Sequence, residues 1–176
     1  MSGHSKWSKI KHQKAASDAK KSKSFGKLVR FLTVEIKKAG GDRNAPGVRL
    51  AIDKARTANM PSDTVERALE KGSSDTSAAM ESVTYEAYGP GGVALVIDGL
   101  TDNRNRTAAE MKHLLSKHGV ALAAQGSASW AFTQGKEGRE ATTLVDLSDE
   151  DLMKLDALVE ALEDHDDVQS VATNAA

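Results

Sequence analysis

The residues best suited to chemistry stand at the start of the chain. In MSGHSKWSKIKHQKAASDAKKSKSFGKLVR, Lys6, Lys9, Lys11, Lys14, Lys20, Lys21, Lys23 and Lys27 are dispersed among small polar residues, with Trp7 between the first two. Ammonium groups spread in this way suit neutralisation of a polyphosphate. If about six engaged duplex DNA, log affinity would fall against log salt with a slope near −5, and somewhat less steeply on single strands. Trp7 could stack on an unpaired base, a contact worth about 1–3 kcal/mol. It could equally pin the basic arm to the domain that follows. Nothing in the stretch forms a base-reading pattern, so it points to affinity rather than sequence preference.

A second cluster is DNRNR, residues 102–106, which lies between an apolar strand pattern and a helical one. Thr107 and Glu110 have the spacing of a capping box, which predicts an N-cap at Thr107. Arg104 and Arg106 would then flank the positive end of a helix, each disfavoured by roughly 0.3–1 kcal/mol. With Asn103 and Asn105 they form a corner suited to a phosphate or carboxylate. Internal pairing of the arginines with Asp102 and nearby acids fits the same residues. By contrast, Asp149, Glu150 and Asp151 after Ser148 suit the start of a later helix without further explanation.

Other chemistries find little support. There is no cysteine, hence no disulfide, thiolate metal site or thiol nucleophile. His4, His12, His113, His118 and His165 are scattered; His118 continues an apolar stripe and is expected to be a partly buried packing residue. Metalloprotease, hydrolase-elbow, P-loop and dinucleotide-binding patterns are missing. EDHDD, residues 163–167, could catch a cation weakly but reads rather as a solvated helix end, and GPGG reads as a hairpin turn. The expectation is a non-enzymatic protein without catalytic residues, metal, cofactor or small-molecule substrate. No apolar run approaches the roughly 18 residues of a membrane span, and no secretory signal pattern is seen, so the expected location is cytoplasmic.

The net charge of −1 hides a polarity. Residues 1–75 carry 17 basic and 8 acidic side chains, whereas residues 76–176 carry 7 and 17. Such a division suggests a polyanion for the basic half. Its alternative is a protein-interaction module without direct nucleic-acid binding, its two halves docking on partners or on each other.

The elements that must position these residues follow from periodicity. Residues 1–23 lack an apolar period and read as a basic arm. Phe25, Leu28, Val29, Leu32 and Ile36 form one helical stripe, ended by Gly40 and Gly41. Helices starting near Pro46 and after Pro61, the latter stopping at Gly72, complete a helical domain over residues 24–75. From residue 80 the period becomes two. SVTYEAY precedes the series VALVIDGL, TAAEMKHLLSKHG, SASWAFT, ATTLVDL, SDEDLMKLDALVEALEDH and DVQSVAT, a β-α-β-β-α-β order. The predicted class is α+β, a small helical domain followed by a ferredoxin-like domain over residues 80–176.

GHSKW with its following lysines, YEAYGPGG, DNRNRT and LEDHDDVQSV, in this order, closely resemble the YebC/PmpR family over nearly the whole chain. The resemblance implies a helical domain with two α/β domains and no known catalytic activity. It also implies roles as probable transcriptional regulators that bind DNA, or as ribosome-associated factors that help translation. Lys6, Trp7 and the following lysines fall in the family's basic motif, and Asn103, Arg104, Asn105 and Arg106 in its DNRNR corner. Family members usually carry a further α/β domain between the segments matching SWAFT and TTLVDLSDED. Here only residues 134–141 join them, which implies loss of that domain. Nucleic acid, as ribosomal RNA or DNA, and the ribosome are the implied partners.

Overall fold

A computed structural model describes residues 7, 18–74, 79–135 and 138–176. The chain divides into two compact units, a first over Ala16–Glu81 and a second over Ser82–Ala176 that Trp7, from near the N-terminus, also joins.

The first unit is three helices: α1 (Asp18–Lys38), α2 (Pro46–Thr57) and α3 (Ser62–Ser73). Helix α1 starts before its apolar stripe, so Lys20, Lys21 and Lys23, which the sequence reading placed in an extended or partly helical arm, are helical. It ends as expected. Gly40 and Gly41 take φ of 61° and 89°, and the Gly41 N–H reaches the Ile36 carbonyl at 3.0 Å, closing the last turn. Leu32 and Ile36 of α1 meet Val48, Ala51 and Ala55 of α2 and Val65, Ala68 and Leu69 of α3 in one apolar core.

The second unit is a four-stranded sheet in the order β3-β1-β2-β6, with β1 Glu81–Tyr88, β2 Ala94–Thr101, β3 Leu122–Ala123 and β6 Val168–Thr173. Helices α4 (Arg104–Lys117) and α5 (Asp149–Glu163) contribute Met111, Leu115, Leu155, Leu158 and Leu162 to its main core, opposite Ala87, Leu95 and Ile97. GPGG is the β1–β2 hairpin turn, with Gly91 and Gly92 at positive φ. Strand β6 pairs antiparallel with β2 from Leu95↔Thr173 onwards, so the last helix and strand close the sheet.

The α+β class and ferredoxin-like layout hold, but the strands are supplied differently from the expected series. Residues 81–88 form the second inner strand and Leu122–Ala123 one edge. SASWAFT is mostly a loop and a 3-10 turn (Ser129–Ala131) leading into β4 (Phe132–Gln134). Of ATTLVDL only Ala141 is in a strand, the end of β5 (Arg139–Ala141), which pairs with β4 alone. The reason is local chemistry. The Glu86 carboxylate accepts hydrogen bonds from the N–H groups of Gly126, Ala128 and Ser129 at 2.7–2.9 Å, so these donors are withheld from any ladder. Ala128 and Ala131 then seat on Ala94 beside Phe132, covering the face of the sheet opposite the helices. His118 also departs from expectation: it is exposed at the end of α4, before Gly119 at φ 70°.

Candidate nucleic-acid interface

Along α1, Lys20, Lys23, Lys27, Arg30 and Lys37 recur at intervals of three, four or seven residues, which places them on one face. Phe25, Leu28, Leu32 and Ile36 occupy the other, where the helical core lies. At 1.5 Å per residue the row is about 25 Å long. Lys20, Lys23 and Lys37 are exposed, while Lys27 and Arg30 are half-buried with their stems along the protein. All five also make polar contacts within the protein. Lys21 is exposed on the same helix. Arg30 escaped the sequence reading and Lys37 reads from sequence only as a complement to the helix dipole, although their spacing from Lys23 and Lys27 was signal enough. Lys6, Lys9, Lys11 and Lys14 lie outside the described residues.

Trp7 is buried at 8% exposure in the main core of the second unit, with Ala87, Val93, Leu95 and Met111. This corrects both expectations for it. Its ring is not available to stack on a base, and it anchors to the α/β core rather than to the helical domain. Burying an indole in the larger apolar cluster removes more apolar surface from water than an exposed stack would.

The DNRNR corner is also built differently from its sequence reading. Helix α4 begins one turn earlier than a Thr107 cap predicts. Asn103 is the N-cap, its side-chain oxygen accepting the Arg106 N–H at 3.1 Å. Thr107 is buried within the first turn. Its hydroxyl donates to Asp167 Oδ2 at 2.7 Å and accepts from the Thr101 hydroxyl, also at 2.7 Å. Arg106 is 2.8 Å from Asp167, 2.9 Å from Asp102 and 3.9 Å from Glu110. Internal pairing is therefore the outcome for Arg106, and the bond to Asp167 raises its already high pKa. Asp167, at 4% exposure, is not part of a solvated helix end; EDHDD was misread there.

The DNRNR and EDHDD segments thus interlock. His165 accepts the Asp167 N–H at Nδ1 (3.1 Å), so its Nε2 carries the proton donated to Glu110 at 2.9 Å. Glu110, His165 and Asp167 place ligand atoms close enough to hold a cation, and the Arg106 guanidinium lies against two of them, Asp167 at 2.8 Å and Glu110 at 3.9 Å. Arg104 and Asn105 remain exposed on the first turn of α4. Arg104 acts electrostatically on Tyr85, whose phenol is held above its usual pKa mainly by burial, with Arg104 opposing.

Among the described residues, no helix is long and apolar enough to cross a membrane. The TACO1/YebC N-terminal domain model matches residues 5–75, and the model for the second and third domains matches residues 80–139. A "probable transcriptional regulatory protein" of Fervidobacterium nodosum is 48% identical over 171 residues, covering 96% of this chain and 68% of that protein. One of the same description from Chlorobaculum parvum is 46% identical, with 95% and 67% covered. A third, from Thermosipho africanus, is 53% identical over 134 residues, which are 53% of its length. The chain thus spans about half to two thirds of these relatives. The crystal structure of a conserved hypothetical protein from Aquifex aeolicus superposes with a TM-score of 0.81 at 30% identity, covering 95% of each chain. On the sequence, the two-unit fold and these matches together, the chain belongs to the TACO1/YebC family.

Proposed function

We propose that this chain is a non-enzymatic, cytoplasmic regulator of gene expression that grips nucleic acid through its basic N-terminal region. The observation that carries the reading is the row of cations on one face of α1, Lys20, Lys23, Lys27, Arg30 and Lys37, opposite the buried stripe. Lys6, Lys9, Lys11, Lys14 and Lys21 extend the same charge along the sequence. That the relatives are described as probable transcriptional regulatory proteins agrees with a nucleic-acid partner.

Structured RNA on the ribosome is the preferred target, because the row consists of dispersed point charges and lacks the Asn, Gln and Arg pattern of a helix that reads base edges. Arg104 and Asn105 form a second anchor, while Asn103 and Arg106 hold the corner in shape.

The test is the triple substitution of Lys23, Lys27 and Arg30 by Gln, measured by ribosome co-sedimentation and by RNA and duplex DNA titration across salt. Removing three phosphate contacts should flatten the log–log salt slope by about 2–3. In the same assays Arg106→Gln should lower thermal stability and leave binding intact. An unchanged slope in the triple variant would sink the reading. Tight, sequence-dependent duplex binding without ribosome association would replace RNA by promoter DNA as the target.

A further inference from the structure

The chain has seven aromatic residues, three Phe, two Trp and two Tyr. Two of them stand side by side at the surface of the sheet unit, Trp130 at 60% exposure and Tyr88 at 41%. A single exposed aromatic needs no explanation, but a fixed pair does. The Trp130 indole N–H donates to the Tyr88 hydroxyl at 3.0 Å, and that hydroxyl donates to the Ser127 carbonyl. Both polar edges are thus engaged internally. The loop beneath is itself fixed by Glu86, which holds Gly126, Ala128 and Ser129. What the pair offers to solvent is π surface in a set orientation, which reduces the ordering cost of binding.

Ring faces attract apolar groups, nucleobases and cations. Charge selects among these. Residues 82–176 hold 16 acidic side chains against 7 basic ones. Of the basic ones, Arg106, Arg139 and Lys154 are bound by carboxylates, Arg139 by Asp98 at 2.8 Å. Glu86 lies under the Trp130 loop, and Glu140 lies on the adjoining β5. Glu86 is buried with its oxygens taken by backbone N–H groups, so the selection rests on the net negative charge of this unit and on exposed Glu140. A phosphate backbone is repelled overall, whereas a guanidinium is attracted by that charge and by the ring faces. Arginine fits better than lysine because its planar, weakly hydrated head stacks. We propose that Tyr88 and Trp130 form a docking point for an arginine-bearing segment of a protein partner, separate from the nucleic-acid grip of α1.

The experiment titrates the full chain with an octa-arginine peptide, an octa-lysine peptide and a single-stranded oligonucleotide. Trp130 emission is isolated by difference from the Trp130→Phe variant, which leaves only Trp7. Octa-arginine should perturb Trp130 emission and bind more tightly than octa-lysine. Trp130→Ala should weaken octa-arginine binding roughly two- to fivefold, the range expected of an exposed cation–π contact, and leave oligonucleotide affinity unchanged. Tyr88→Phe, which removes the hydroxyl that orients the indole, should give a smaller loss. Circular dichroism checks folding; should Trp130→Ala fail it, Trp130→Phe and Tyr88→Phe carry the test. Equal octa-arginine affinity in all folded variants overturns the proposal. So does an oligonucleotide that quenches Trp130 and loses affinity in Trp130→Ala, which would make the pair a base platform instead.

Discussion

Glu86 shows how one side chain can redirect a segment. It occupies an alternating strand, YEAY, and from spacing alone would be an outward-facing position in contact with water. Instead it is buried at 3% exposure and receives three backbone N–H groups from residues 126–129. Burial alone would raise its pKa, but the hydrogen bonds from Gly126, Ala128 and Ser129 outweigh burial and hold the carboxyl below its usual value. Because the folded-state pKa is depressed, the stabilisation is complete above the usual carboxylate range and is lost as pH falls through the lowered value. Glu86→Gln presents only one acceptor oxygen and turns an amide donor toward N–H groups. It should cost about 1–3 kcal/mol at neutral pH. Its melting temperature should also fall less steeply below about pH 4 than that of the parent, as thermal melts across pH would show. Asp167 and Arg106 teach the same lesson. Each looked like a surface charge, and each is defined by a partner 61 positions away in the chain.

At the scale of elements, the helices were largely legible because their signals are short-range. Pro46 and Pro61 mark the starts of α2 and α3, Gly40 and Gly41 the end of α1, and Ser148 caps α5 through the Asp151 N–H. Gly72 was read as a stop and is instead a packing device. It lies inside α3, and a Cβ added there would sit 2.3 Å from Ile36 Cγ2 and 2.5 Å from the Thr33 carbonyl oxygen of α1. Alanine favours an isolated helix over glycine by up to about 1 kcal/mol, but forcing a methyl into this contact costs roughly 1–3 kcal/mol. Gly72→Ala should therefore lower stability in urea, despite its better helix propensity; a gain would show that the two helices can separate freely. The strands were less legible. SASWAFT has the β-branched and aromatic look of an inner strand only weakly, and its alanines at 128 and 131 serve the sheet better as small covers over Ala94.

At the scale of the whole molecule, the change of charge along the chain falls close to the boundary between the helical and sheet units, yet Trp7, from the basic N-terminal stretch, belongs to the core of the sheet unit. Trp7→Ala should thus destabilise the sheet unit by about 3–5 kcal/mol, read from Trp130 fluorescence during denaturation, and leave the α1 row able to bind nucleic acid. Loss of binding without loss of stability would return Trp7 to the surface. The α+β class, most helix ends, the hairpin and the charge division were determined by sequence alone, because periodicity, capping and turn chemistry act over a few residues; the start of α4 was not, since Asn103 rather than Thr107 caps it. Only the tertiary structure decided which charges are spent and which aromatics are exposed. A guanidinium or an indole carries the same local signal whether it meets solvent, a phosphate or a carboxylate brought in from a distant strand, and burial with long-range pairing makes that choice.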